Sequence, residues 1–256
     1  MYPIDYNSYR SVAGFNRRVR FLVMHYTAVD FAASARALTG KNVSAHYLVP
    51  DPTDPTYKAA GFNDMRIFNL VDEQERAWHA GRSAWAGRSN LNDTAIGIEI
   101  VNLASDNGGR FTFPPYNPEQ IEAVKQLALN ILERYPDITP TNVIGHSDIA
   151  PGRKSDPGAA FPWEALYQSG IGAWHNDETK QKYMAQFTAG GIPDRNSVIG
   201  KFKKYGYDTS EAGTDSGFRN LVRSLQLHFR QSNYDGALDV ETAAILYALV
   251  DKYFPA

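Results

Sequence analysis

The chain contains no cysteine. Disulfide scaffolds, cysteine-ligated zinc, iron–sulfur clusters and thiol nucleophiles are therefore excluded, and any metal site has to use histidine and carboxylate side chains. Long apolar runs are also missing, because no run approaches the roughly 20 residues that cross a bilayer. The formal net charge of -2 gives the chain as a whole no electrostatic affinity for nucleic acid or anionic membranes.

The N-terminus lacks a basic stretch followed by an apolar stretch, which a secretory signal peptide requires. The protein is therefore expected to be cytoplasmic, or to be exported by a segment that lies outside this chain. Its 256 residues, of which 43% are hydrophobic, can form one large domain, with or without a small second one.

In the first half of the chain, short apolar runs alternate with helix-like segments, which predicts an α/β fold with a central mixed sheet flanked by helices. The clearest helix is Pro118–Arg134, with Asn117 as its N-cap. Residues 102–118 are predicted to form a long surface loop. The predicted strands are Phe21–Thr27, Met65–Val71, Ala95–Asn102 and Asn142–His146.

Glycine and proline divide the chain into two predicted domains. Residues 169–195 are predicted to be largely irregular, and their C-terminal part is interpreted as a linker. The large domain then covers residues 1–180, the linker residues 181–195, and a small C-terminal domain of three helices residues 196–256. Three helices in a segment of this length can close a compact module.

Three side chains are candidates for a metal site. His25 ends the apolar strand Phe21–Met24, whereas His146 follows the run Val143–Gly145 and opens a loop that contains Asp156. Side chains at strand ends are held rigidly and still face a cleft. Two imidazoles and one carboxylate leave a fourth position for water, as in catalytic zinc sites. Structural histidines at strand ends are more common, so the spacing alone leaves both interpretations open.

Glu99 and Lys154 are the candidates for acid–base and electrostatic catalysis. Glu99 interrupts an apolar strand, and buried carboxylates are rare unless they are paired or functional. Lys154 lies between His146 and Asp156, where a positive group could stabilise an oxyanion. A solvated strand face for Glu99 and a surface position for Lys154 are the alternatives. A phosphate-binding loop, a His-Glu-x-x-His helix and a Gly-x-Ser-x-Gly turn are all missing from the sequence.

Five sequence blocks, in order and spread roughly over Phe21 to Trp163, resemble the type 2 N-acetylmuramoyl-L-alanine amidases. This zinc amidase family also includes the peptidoglycan recognition proteins. Five ordered blocks are more specific than any single motif among them. The blocks are Met24–Thr27, Val43–Tyr47, Ala77–Gly81, Gly97–Ile100 and Gly145–Gly158.

The resemblance implies a fold, a metal and a reaction. His25, His146 and Asp156 would bind Zn(2+), Glu99 would be the catalytic acid/base, and Lys154 would stabilise the transition state. The reaction would be hydrolysis of the amide between the lactyl group of N-acetylmuramic acid and L-alanine of the stem peptide, in peptidoglycan or muropeptides. Acceptance of the 1,6-anhydro sugar is left open. One alternative is a non-catalytic peptidoglycan recognition protein, although such members lack part of the ligand set that is present here. A zinc protease that cuts peptide–peptide bonds is the other alternative.

Aromatic side chains are expected to line the substrate cleft, because their flat faces suit sugar rings. Tyr47, Trp78 and Trp85 are the candidates, together with His79, which matches a position that is not a metal ligand. A partly structural role is the alternative for the three aromatic residues, as core packing is for His79.

The C-terminal segments Leu225–Phe229, Tyr234–Gly236 and Asp239–Thr242 resemble a three-helix peptidoglycan-binding module. An amidase domain followed by that module resembles the family's outer-membrane lipoproteins. This implies a periplasmic enzyme that acts on peptidoglycan or muropeptides and contacts the outer membrane only through an N-terminal lipid anchor absent from this chain. A monomer that binds no nucleic acid is expected, although the sequence leaves the oligomeric state open.

Overall fold

The computed structural model describes residues 2–15 and 17–255. In chain order, its strands are β1 (Phe21–Tyr26), β2 (Tyr47–Val49), β3 (Phe68–Asn69), β4 (Ala84–Trp85), β5 (Arg88–Ser89), β6 (Ala95–Ile100), β7 (Ser105–Asp106), β8 (Phe111–Thr112) and β9 (Val143–Gly145). Its α-helices are α1 (Phe31–Leu38), α2 (Pro55–Ala59), α3 (Pro118–Arg134), α4 (His146–Ile149), α5 (Trp163–Gln168), α6 (Asp177–Gly190), α7 (Arg195–Tyr205), α8 (Asp215–Phe229) and α9 (Val240–Tyr253).

In the described part of the chain, five strands form a mixed sheet in the order β3-β2-β6-β1-β9. Strand β1 pairs in parallel with β6 and β9, and β2 pairs in parallel with the central strand β6. Strand β3 runs antiparallel to β2 at the edge. Because parallel strands have their carboxyl ends at the same edge of a sheet, β1, β6 and β9 end side by side. The predicted α/β fold with a mixed sheet flanked by helices is confirmed.

Three of the predicted strands are present as β1, β6 and β9, with small differences at their ends. The fourth, predicted over Met65–Val71, is much shorter, because β3 pairs with β2 at only two positions, through Asn69 and Phe68. Strand β2 is not predicted, since a run of three residues shows no alternation of apolar and polar side chains.

The sheet core is apolar, and helix α3 contacts it through both apolar and polar side chains. Strand β1 is buried along its length up to His25. Helix α3 has the predicted bounds, and the Asn117 side chain caps it by accepting from the N–H of Glu119. The buried amide of Gln120 donates to the carbonyl oxygens of Val49 and Val101, which joins the helix to the sheet.

Residues 177–190 form helix α6, so the prediction that this segment is irregular is wrong. Asn176 caps this helix by accepting from the N–H of Thr179, and the glycine pair lies at its C-terminal end. Its buried ring, Phe187, packs edge-on against Tyr247 of α9 at a ring-centroid distance of 5.1 Å. The predicted linker 181–195 is therefore helical up to residue 190 and packed against the C-terminal helices. The division of the chain into domains stays a prediction.

The three predicted C-terminal helices are present as α7, α8 and α9. Helix α8 packs against α4 and α5 of the preceding part of the chain, so the C-terminal helices are in direct contact with the segments that follow the sheet. Among residues 2–15 and 17–255, no helix combines the length and the apolar character needed to cross a membrane.

Candidate metal centre

The carboxyl edge of the sheet brings the candidate residues together. His25 lies near the end of β1, and the register of the parallel pair places Glu99 of β6 directly opposite. His146 is the first residue of α4, immediately after β9, where Gly145 pairs with Met24 of β1. Three adjacent strands therefore deliver these side chains to one place.

His25, His146 and Asp156 form a compact, buried cluster. The Nδ1 atom of His25 lies 2.8 Å from Oδ2 of Asp156 and 3.0 Å from Nδ1 of His146, and the His146 and Asp156 atoms are 3.0 Å apart. Zinc takes imidazole nitrogens and carboxylate oxygens at about 2.0–2.2 Å, so donors this close together suit a single cation. The chemistry of this donor set fits a divalent metal ion.

Contacts on the far side of each imidazole fix its orientation. Nε2 of His146 lies 3.0 Å from the carbonyl oxygen of Ala80. An N–H at that position donates to the carbonyl and leaves the lone pair of Nδ1 facing the cluster. Nε2 of His25 lies 2.9 Å from Nδ1 of His79 and can donate to it in the same way. Metal-binding histidines have outer hydrogen bonds of this kind.

The charge states of the cluster also suit metal binding. Burial lowers the pKa of His25 to about 4, and the neighbouring His146 acts in the same direction, against the opposing effect of Asp156. Burial alone would raise the pKa of Asp156, but its contacts with His146 and His25 outweigh this and hold the pKa well below the usual range. A neutral imidazole and an ionised carboxylate are the forms that bind metal.

Glu99 is a partly buried carboxyl group on the wall of the same cleft. Burial raises its pKa well above the usual value, and the negative charge of Asp156 adds to this, whereas Lys154 opposes it. Its Oε2 atom is buried and has no hydrogen-bond partner among the described residues. A carboxyl group with a raised pKa can exchange protons close to neutral pH, which suits a general acid or base.

The cleft beside the cluster has a volume of about 510 Å³, within the range of small-molecule sites. Lys154 lies on its wall and is exposed, and the ring of Trp78 is 52% exposed there. His79 also lines the cleft, packed so closely over β6 that a Cβ atom at Gly97 would lie 2.5 Å from its Cγ. Glycine is therefore required beside His79.

The prediction that Trp85 lines the substrate cleft is wrong. Its side chain is only 1% exposed, its Nε1 donates to the carbonyl oxygen of Thr141, and its ring lies edge-on to Tyr207 at 4.7 Å. A ring enclosed in this way cannot contact a substrate, because packing with the C-terminal part of the chain covers it. Sequence alone does not reveal this contact between distant segments.

Tyr47 also lies away from the cleft, since its hydroxyl donates to Glu73 at 2.7 Å in a separate surface depression. Residues that the sequence analysis does not single out line the cleft instead, including Tyr26 and Ser155, whose hydroxyl oxygens are 2.6 Å apart. Tyr26 follows His25 directly, and its position at the strand end is the signal that could have identified it.

A sequence profile described as N-acetylmuramoyl-L-alanine amidase matches residues 15–159, which include the cluster, Glu99 and Lys154. N-acetylmuramoyl-L-alanine amidase AmiD of Escherichia coli K12 is 46% identical over 237 residues, which cover 92% of this chain and 84% of AmiD. The chain belongs to the N-acetylmuramoyl-L-alanine amidase family. The membership predicted from the five sequence blocks is confirmed.

Solved structures extend this likeness to the whole length of the amidase-family chain. The crystal structure of AmpDh3 from Pseudomonas aeruginosa has 62% identity and a TM-score of 0.97, and covers 100% of both chains. Another structure of AmpDh3 is a complex with anhydromuramic pentapeptide. AmiD from E. coli, in complex with anhydro-N-acetylmuramic acid-L-Ala-D-gamma-Glu-L-Lys, has 42% identity and a TM-score of 0.85 over 99% of this chain and 98% of its own.

Proposed function

We propose that the protein is a zinc-dependent N-acetylmuramoyl-L-alanine amidase. It hydrolyses the amide that joins the lactyl group of N-acetylmuramic acid to L-alanine of the stem peptide, in peptidoglycan or muropeptides. The observation that carries this proposal is the cluster of His25, His146 and Asp156 beside Glu99 at one cleft. The substrate complex of AmiD, a relative 42% identical over nearly the whole chain, supports the choice of bond.

Zinc, when bound by His25, His146 and Asp156, would acidify a water molecule and polarise the substrate carbonyl. Glu99 supplies the proton transfers. Its raised pKa lets the carboxylate take a proton from the attacking water and then deliver it to the leaving amine of L-alanine. Its Oε2 atom has no hydrogen-bond partner in the part of the chain that the structure describes, which leaves this carboxyl group available for that role.

Lys154 provides a positive charge on the wall of the cleft. It is exposed on the cleft wall, in the same loop as Asp156. An ammonium group that is already in place offsets the negative charge on the oxygen of a tetrahedral intermediate, and it gains more from that charge than from the neutral amide.

We extend the proposal to the 1,6-anhydro form of the sugar. The AmiD and AmpDh3 complexes each hold an anhydromuramyl peptide, and the latter protein is 62% identical to this chain. The exposed ring of Trp78 offers an aromatic face to a sugar, and His79 lies beside it in the cleft. Both residues are proposed to contact substrate.

The location follows from the substrate. Peptidoglycan lies outside the cytoplasmic membrane, so we propose that the protein acts in the periplasm. Attachment to the outer membrane by an N-terminal lipid anchor, a monomeric state and glycan binding by the C-terminal helices are further parts of the proposal, and they rest on the family resemblance described in the sequence analysis.

Digestion of purified peptidoglycan and of anhydromuropeptides, followed by mass spectrometry, tests this function. An amidase releases stem peptides with a free L-alanine amine and leaves a lactyl carboxylate on the sugar. Glu99→Gln is the matched control, because it preserves the shape of the side chain while removing the base. Absence of products with the wild type would indicate a recognition protein, whereas shortened stem peptides would indicate a peptidase.

A further inference from the structure

Asp148 is a fully buried carboxylate two residues beyond His146 in helix α4. Its Oδ2 atom accepts from the backbone N–H of Gly145 at 2.8 Å. This bond spans the junction between β9 and α4, at the N–H of the residue immediately before His146. The position of Asp148 and the position of the candidate metal ligand are therefore linked through a few rigid bonds.

Two further partners of Asp148 come from the C-terminal part of the chain. The hydroxyl of Tyr207 donates to Oδ1 at 2.7 Å, and Nδ1 of His228, on α8, lies 2.7 Å from Oδ2. Both side chains are only 2% exposed. A buried carboxylate is stable only when its oxygens are hydrogen-bonded. Tyr207 and His228 therefore supply hydrogen bonds that Asp148 needs in addition to the one from Gly145.

Neither partner can move freely. The imidazole of His228 stacks on the ring of Trp163 and on that of Phe229, each at a centroid distance of 3.8 Å. Tyr207 is held against Trp85. The hydrogen bonds to Asp148 therefore come from donors that packing holds in place, which is what a positioning role requires.

Helix α8 also contacts the loop that carries Lys154 and Asp156. Gly152 of this loop has a φ of +74°, and a Cβ atom there would lie 2.2 Å from Nδ2 of Asn220 on α8. Asn220 thus occupies the space that a side chain at residue 152 would need. The C-terminal part contacts the neighbourhoods of two candidate metal ligands, His146 and Asp156, through different residues.

We infer that Tyr207 and His228 are positioning residues for the metal site, acting through Asp148 on His146. The C-terminal helices would then serve zinc binding in addition to any binding of peptidoglycan. This inference rests on the proposed zinc site. If the hydrogen bonds of Tyr207 and His228 to Asp148 serve only to join the C-terminal helices to the rest of the chain, their loss reduces stability without a specific effect on the metal.

Tyr207→Phe in the full chain separates these two roles. Zinc affinity is measured by competition with a chelator, the coordination geometry by the absorption spectrum of the cobalt-substituted protein, and stability by the Tm of the metal-free protein. Tyr205→Phe is the matched control: Tyr205 is equally buried and stacks near Tyr207, but within the described residues its hydroxyl makes no hydrogen bond with Asp148.

We expect Tyr207→Phe to weaken zinc binding about tenfold, the lower end of the effect of an outer-sphere partner, and to shift the cobalt spectrum. Tyr205→Phe is expected to leave zinc affinity within about twofold of wild type, whatever its effect on Tm. Equal zinc affinities and equal cobalt spectra in the two variants would overturn the inference.

A pair of His228 variants tests the second contact and decides the matter if Tyr207→Phe does not fold. Asparagine places an amide donor near the position of Nδ1, whereas glutamine places it near Nε2. His228→Asn is therefore expected to bind zinc about tenfold more tightly than His228→Gln. Equal affinities would contradict the inference. A wild-type protein that binds no zinc would instead refute the proposed zinc site itself.

Discussion

Glu99 and His25 face each other across the parallel pair of β1 and β6, at the end of the sheet where both strands stop. The proposed proton-transfer group and a proposed metal ligand are therefore held by two directly paired strands of the sheet. Their separation is set by strand pairing, so the acid/base does not depend on a loop to reach the reaction centre.

Replacement of Glu99 by glutamine is expected to lower kcat by about 10²- to 10⁴-fold, the usual contribution of a general acid–base group. Zinc content and Tm should stay close to wild type, because the change keeps the side-chain shape and removes a carboxyl group that burial disfavours. Steady-state kinetics on an anhydromuropeptide and metal analysis of the same preparation check this. A variant with a kcat near that of wild type would rule out the assigned role.

Asp156→Ala is expected to weaken zinc binding by more than about 100-fold, because it removes a direct metal ligand. Loss of a residue that only hydrogen-bonds to a ligand weakens binding by at most about 100-fold. Chelator competition measures the affinity. Asp106→Ala is the control, since Asp106 lines the same cleft but lies outside the cluster. If both variants keep the affinity of wild type, Asp156 is not a ligand.

Glu73 is expected to make stability depend on pH. Its burial would raise the pKa, but the hydrogen bonds from Arg134 and Tyr47 outweigh this and lower it. Because the pKa of Glu73 is lower in the folded state than in the unfolded state, the ionised side chain stabilises the fold. This stabilisation is complete above the unfolded-state pKa of about 4.3 and is lost as the pH falls through the folded-state pKa. At pH 7 the free energy of unfolding of the wild type should therefore be about 1 kcal/mol higher than that of Glu73→Gln. The difference is no larger because Arg134 is partly exposed and solvent screens the ion pair.

Urea unfolding of the wild type and of Glu73→Gln at several pH values measures this difference in free energy. We expect the gap between the two proteins to shrink as pH falls below about 4. A gap that stays constant over this range would mean that Glu73 does not titrate as the structure indicates. The result also bears on Tyr47, which we expect to act in stability through this contact and not in substrate binding.

Substitution of Trp85 is expected to affect stability, whereas substitution of Trp78 is expected to affect substrate binding. Trp85→Ala should lower the free energy of unfolding by about 3–5 kcal/mol, because it removes a fully buried ring. Trp78→Ala should leave stability nearly unchanged and raise KM, since its ring is half exposed in the cleft. Unfolding curves and kinetics on both variants test this, and a raised KM confined to Trp85→Ala would reverse our assignment.

The sequence predicts the central strands and α3, because their patterns reflect local burial on a sheet. It misses α6, since Gly190 and Gly191 end that helix and give the segment the composition of a loop. The spacing of His25, His146 and Asp156 leaves a metal site undecided, and only the ordered family blocks resolve it. The burial of Trp85 depends on Tyr207, far along the chain, which no local pattern reports.

The central claim is that amide hydrolysis depends on zinc held by His25, His146 and Asp156. Metal-free protein, prepared with a chelator and titrated with zinc, tests this most directly when bound zinc and the rate of L-alanine amide cleavage are measured on the same samples. We predict no cleavage without metal and a rate that rises in proportion to bound zinc up to a single ion per cluster. Full activity in the metal-free protein, or a rate that does not follow zinc content, would contradict the account.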